Sequence, residues 1–205
     1  MPMGELEPRA GDALVIVDVQ NDFVTGSLAV PDGRVVVGPL VHAAALFAGR
    51  GLPVAATRDW HPADHVSFRE QGGPWPPHCV AGTAGADYVS GLDLPADTLH
   101  IRKATASGLD AYSGFEGTTL ADDLRARGVT RVFVGGLATD YCVLNTVIDA
   151  VRLGFDVVVL ADAIRAVNVG EGDGARAEAA MREAGARFAD VSDLTHTAAD
   201  APPGP

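Results

Sequence analysis

The segment that most limits the fold is Ala13-Leu14-Val15-Ile16-Val17. An unbroken apolar run of this kind cannot alternate between core and solvent as a half-exposed strand does. It needs cover on both faces, and the usual cover is a layer of helices on each side of a parallel sheet. The rest of the chain repeats that demand. Residues 35–50 read as a helix stopped by Gly51, and 53–57 (PVAAT) as a second strand. Residues 98–102 form a third strand pattern, 118–127 a helix stopped by Gly128, and 131–134 a fourth strand. A helix over 141–153 stops at Gly154, a fifth strand covers 156–160, a helix over 175–184 stops at Gly185, and a short sixth strand begins at 187–189. Glycine recurs after these helices because the residue beyond a helix end commonly takes a left-handed conformation. Strands alternating with helices at this spacing predict right-handed βαβ units. The expected fold is three-layer α/β/α with a six-stranded parallel, Rossmann-like sheet. A length of 205 residues suits one domain spanning 1–205. The polar ends, about 1–11 and 195–205, are expected to be loose.

Composition narrows the partners. The 27 acidic residues exceed the 15 basic ones, for a formal charge of −12. Such a surface repels phosphate backbones and anionic lipid, so neither nucleic acid nor membrane is an expected partner. No apolar run approaches the roughly 18–20 residues of a membrane helix, and residues 1–11 lack a signal-peptide core. The expected location is cytoplasmic. Two cysteines, Cys79 and Cys142, are too few for a disulfide framework. Among the 15 basic residues Lys103 is the only lysine. That choice suits a site needing a compact ammonium rather than a planar fork.

In open α/β sheets, ligands bind beyond the carboxyl ends of the strands. Asp18 stands at the end of strand one, Arg58-Asp59-Trp60-His61 at strand two, and Lys103 at strand three. Strand four runs into Gly135-Gly136-Leu137-Ala138-Thr139-Asp140-Tyr141-Cys142. Each of these alone reads as a cap or a solvated loop residue; all four converging do not. Cys142 falls at the start of a helix, where the dipole and free N–H groups favour a thiolate. Asp18 and Lys103 then supply a base and a cation to a nucleophilic cysteine that lacks the usual histidine. Cys79, in a Pro-rich loop, reads as packing.

Residues 60–94 are rich in Gly, Pro and His and show little periodicity. Loops of that length in compact domains are usually functional. Asp59 and His61 lie two apart and leave the same face of an extended strand, so they can grip one metal ion, with His78 as a third ligand. Mixed His and Asp ligation suits Zn, Mn or Fe. His65 reads either as a fourth ligand or as a support for one. His42, His100 and His196 read as structural or solvated. The Gly-rich string at 170–174 (GEGDG) is not a dinucleotide fingerprint and reads as a flexible loop.

Five strings bear a further reading: residues 16–23 (IVDVQNDF), 57–68 (TRDWHPADHVSF), 75–83 (WPPHCVAGT), 111–117 (AYSGFEG) and 135–142 (GGLATDYC). In this order they resemble the nicotinamidase and pyrazinamidase branch of the isochorismatase-like, or cysteine hydrolase, family. The resemblance implies Asp18, Lys103 and Cys142 as catalytic residues, and Asp59, His61 and His78 as ligands of one divalent metal ion (Zn, Fe or Mn). It implies Phe23 and Trp75 beside the substrate ring, N–H groups of Ala138 and Cys142 as the oxyanion hole, and a cis Leu137–Ala138 peptide bond. The implied activity is hydrolysis of nicotinamide, and of pyrazinamide, through a Cys142 thioester. The partner is then a small molecule; a homo-oligomer stays open. A sister amidase for another amide or ureido compound, a vinyl-ether hydrolase and a metal-stabilised interaction module remain alternatives.

Overall fold

The computed structural model describes residues 6–195. Six strands form one sheet: β1 (Asp12–Val17), β2 (Val54–Asp59), β3 (Leu99–Lys103), β4 (Arg131–Leu137), β5 (Asp156–Arg165) and β6 (Arg187–Ala189). Every neighbouring pair is parallel, in the order β3-β2-β1-β4-β5-β6. The helices are the short α1 (Asn21–Val24), then α2 (Val37–Gly49), α3 (Leu120–Ala126), α4 (Leu144–Arg152) and α5 (Asp173–Glu183).

The apolar run of β1 behaves as its pattern demands, since all six of its residues are buried. Leu14 and Ile16 join a core with Leu40 and Phe47 of α2, whereas Ala13, Val15 and Val17 join a second core with Leu124 of α3, Val147 of α4 and Met181 of α5. One strand thus seeds both cores, because successive side chains leave opposite faces. Among the described residues, no helix is long and apolar enough to cross a membrane.

Several element bounds differ from the sequence reading. The expected helix over 35–50 is a 3₁₀ turn, Gly33–Val36, followed by α2. The expected helix over 141–153 opens instead as a five-residue π-helical turn, Thr139–Val143, and becomes α-helical only at Leu144. β4 runs on through Gly135-Gly136 to Leu137, where the apolar pattern had suggested an end. The reason is close approach. Gly136 has φ +128°, and a Cβ there would lie 2.0 Å from the Val17 carbonyl oxygen. β5 likewise continues past Leu160 to Arg165, with a register shift against β4 between Val134 and Gly136.

Local side-chain bonds order two segments that the sequence left without structure. Residues 170–174 are not a free loop but the lead into α5: Gly170 N donates to Asp173 Oδ2 at 2.6 Å, and Gly174 N to Asn168 Oδ1 at 2.8 Å. Of the opening segment, residues 1–5 lie outside the described residues, as do 196–205 of the tail. Beyond residue 5 the chain is tied down, with Leu6 packed on the core and Glu7 paired with Arg50 at 2.7 Å.

Candidate active site

The sheet order reverses direction at β1, so β1 and β4 flank a crevice at their carboxyl ends, the usual ligand position in open α/β sheets. β1 stops at Val17 because Asp18 turns the backbone into the left-handed region, with φ +47°. That turn aims the Asp18 carboxyl inward, where Thr57 Oγ1 donates to its Oδ1 at 2.7 Å. Lys103, the last residue of β3, extends to the same point and is 1% exposed. Its Nζ lies 3.0 Å from Asp18 Oδ2 and 2.5 Å from Asp59 Oδ1. It also donates to the Ala111 carbonyl at 3.0 Å and approaches Cys142 Sγ at 3.5 Å. The lone lysine is thus an ammonium spending each of its donors inside one dry cluster.

The electrostatics follow from that dryness. Burial pushes the Asp18 carboxyl up, and the neighbouring Asp59 charge adds to it, while Lys103 opposes both. Burial also raises Asp59, but the charge of Lys103 leads the effects that outweigh it and hold that carboxyl well below the usual range. Lys103 itself loses to burial and gains more from its two carboxylates, so its ammonium is held far above the ordinary lysine range. The Cys142 thiol is raised, with burial the leading cause, opposed by Lys103 and reinforced by Asp18 and Asp59. Burial thus works against the thiolate that a helix start by itself favours. Cys142 sits in the π-helical turn, 6% exposed. A protonated thiol beside a carboxylate of raised basicity is an arrangement for proton transfer as the nucleophile attacks.

One ligand atom from each of Asp59, His61 and His78 lies within 4.8 Å of the other two. Backbone carbonyls set both imidazole tautomers. His61 Nδ1 donates to Ala104 O at 3.3 Å and His78 Nδ1 to Pro76 O at 2.8 Å, leaving both Nε2 lone pairs free. His61 Nε2 is buried and has no hydrogen-bond partner. An orphaned buried nitrogen facing a carboxylate oxygen and a second imidazole fits a divalent metal ion. His65 does not complete the set. Its Nε2 donates to Leu109 O at 3.0 Å and its Nδ1 accepts from Ser67 Oγ at 2.8 Å, so neither nitrogen is available. It packs on His61 instead, with ring centroids 4.1 Å apart. Burial lowers the basicity of His65 and of His78, in keeping with neutral rings.

Phe23, Trp75, Ala138 and Cys142 line one cavity with Asp59, His61 and His78. Trp75 Nε1 donates to Tyr112 Oη at 3.0 Å, and the Trp75 ring meets Tyr141 edge-on at 5.1 Å. The Leu137–Ala138 peptide bond is cis.

The isochorismatase domain family matches residues 12–196. The chain is an isochorismatase-family protein. A nicotinamidase from Escherichia coli (strain K12) is 38% identical over 214 residues, covering 94% of this chain and 99% of that one. Among solved structures, a pyrazinamidase of Pyrococcus horikoshii in complex with zinc shares 45% identity at a TM-score of 0.84, covering 88% of this chain and 99% of that one. PnC1 from L. infantum, solved with nicotinate, shares 37% identity at a TM-score of 0.83, covering 91% and 96%.

In this member of the isochorismatase family, Asp18, Asp59, His61, Lys103 and Cys142 from the strand ends come together in one buried cluster. The sequence reading missed others. Thr57 looked like ordinary strand, yet its hydroxyl bonds Asp18. Gln20 drew no reading of its own, yet it is fully buried against Asp59. Phe68 reads as one more apolar residue, but its ring meets His61 and His78 edge-on, both at 5.5 Å. The only advance signal was their place inside the strings at 16–23 and 57–68.

Proposed function

We propose that this chain hydrolyses nicotinamide to nicotinate and ammonia, and pyrazinamide to the corresponding acid. The observation that carries the reading is one carboxylate, Asp59, shared between the ammonium of a buried Asp18–Lys103–Cys142 cluster and a two-histidine ligand set. The assignment extends to this chain what the E. coli relative is named for and what the two solved relatives bind.

Asp18 takes the thiol proton as Cys142 Sγ attacks the carboxamide carbon. The positive charge of Lys103 offsets the charge developing on sulfur. The backbone N–H groups of Ala138 and Cys142 serve the carbonyl oxygen as it becomes an oxyanion; one such donor is typically worth about 100–1000-fold in rate. Asp18 then gives its proton to the departing nitrogen, the C–N bond breaks, and ammonia leaves a Cys142 thioester. A water molecule, deprotonated by Asp18, attacks the thioester, and the proton returns to Sγ as nicotinate is released. Phe23 and Trp75 bracket the ring and exclude water. Asp59, His61 and His78 would hold one divalent ion, zinc in this reading, which would supply a Lewis-acidic point for a ring nitrogen.

The test is ammonia release from nicotinamide by zinc-loaded protein, with benzamide as the control lacking the ring nitrogen. Nicotinamide is expected to be turned over far faster than benzamide. Equal kcat/KM for the two replaces this reading with a general amidase, and no ammonia from either removes it.

A further inference from the structure

We infer that Gln20 is a positioning residue for the metal site: its side chain replaces the missing strand partner of Asp59 and so fixes the carboxylate that the metal and Lys103 share. β1 pairs with β2 through Ile16 and Ala56, after which the chain turns away at Asp18. Asp59, three residues further along β2, is paired by β3 through Lys103 on one side only. Its N–H and C=O on the other side face the buried space that β1 has vacated. The Gln20 carboxamide fills it. Oε1 accepts from Asp59 N at 2.8 Å, and Nε2 donates to Asp59 O at 2.8 Å and to Ala86 O at 3.0 Å. A side-chain amide thereby copies the pattern of a backbone peptide, and Gln20 is 0% exposed while doing so.

The consequence lies in the Asp59 side chain. Oδ1 is 2.5 Å from Lys103 Nζ, and Oδ2 is 3.5 Å from the free Nε2 of His61. A carboxylate serving two neighbours in two directions tolerates little rotation of its backbone. Residues that orient a metal ligand typically change metal affinity or activity by about 10–100-fold when removed. Asn21, the next residue, gives the contrast. Its Nδ2 donates to Ala84 O at 2.7 Å, a comparable tie to the same loop that touches no ligand.

The inference rests on the metal-site reading above. The experiment measures zinc affinity of the full chain by competition with a chromophoric chelator, and the visible spectrum of the Co²⁺ form, for the unaltered protein, Gln20→Met and Asn21→Ala. Gln20→Met is expected to bind zinc about 10–100-fold more weakly with a changed Co²⁺ spectrum, and Asn21→Ala to match the unaltered protein. Because Gln20→Met leaves buried groups unpaired, it is backed by a measurement needing no variant. On zinc titration of the unaltered chain, the Gln20 side-chain amide and the Asp59 backbone amide NMR signals are expected to shift, and those of the Asn21 side chain to stay. Wild-type zinc affinity in folded Gln20→Met, equal weakening by Asn21→Ala, or unmoved Gln20 signals overturns the inference alone. If the unaltered chain binds no zinc, the metal-site reading falls, and the inference with it.

Discussion

Replacing Lys103 by Met removes the only ammonium from the buried cluster while keeping most of the stem's volume. The two carboxylates it bridges, at 3.0 and 2.5 Å, then face each other without a counter-charge. Breaking a buried ion pair by removing one partner costs about 3–5 kcal/mol. For a chain of this size each kcal/mol moves Tm by about 2–4 °C, so the expected fall is about 6–20 °C. Against a typical total of about 5–15 kcal/mol, the variant stays folded with a thin margin. The assay is thermal unfolding at pH 7 in excess chelator, so that no metal ion offsets the Asp59 charge. Lys103→Met combined with Asp59→Asn is the decisive partner. Removing a stranded charge is expected to regain more than about 1 kcal/mol, a non-additive result. Activity of Lys103→Met should fall by about 100–1000-fold in kcat, the scale for one preorganised electrostatic group. A Lys103→Met protein within about 1 kcal/mol of wild type, or a double variant less stable than the single one, refutes the cluster's electrostatics.

Cys142→Ala is expected to lose several orders of magnitude in kcat at about 1 kcal/mol or less of stability. By native mass spectrometry, nicotinaldehyde should add to wild type and to Cys79→Ala but not to Cys142→Ala. Asp18→Asn should abolish turnover yet raise Tm at neutral pH. The sign follows from the raised carboxyl: its contribution to stability is full below the unfolded value of 3.8 and is lost as pH rises through the folded value. The Tm gain of Asp18→Asn over wild type should therefore grow between pH 4.5 and 8, and a gain that shrinks over that range contradicts it. Thr57→Val leaves Asp18 Oδ1 without its donor and should cost about 1–3 kcal/mol in urea unfolding together with a drop in kcat. Gly136→Ala should fail to fold or lose more than about 3 kcal/mol, because the new Cβ has no room beside the Val17 carbonyl.

The sequence by itself determined the layers of this protein and the edge on which its chemistry stands. The run at 13–17 can be buried only between two cores, and glycines stop the helix patterns between successive strands. Once β1 to β4 are read as parallel, Asp18, Asp59, Lys103 and Cys142 come to one edge, because every parallel strand ends on the same side. What only the tertiary structure decided are the properties that depend on surroundings far away in the chain. Burial and two nearby carboxylates push the Cys142 thiol up against Lys103, whereas its local helix position alone favours a thiolate. His65 turns its second nitrogen to the Leu109 carbonyl, 44 residues away, instead of to the Asp59, His61 and His78 group. Gln20 meets Asp59 across 39 residues, and only because β1 turns aside at Asp18. Periodicity records which face of an element is buried; it carries no record of which distant backbone lies against that face. Hydrogen-bond partners, dryness and tautomer are set there.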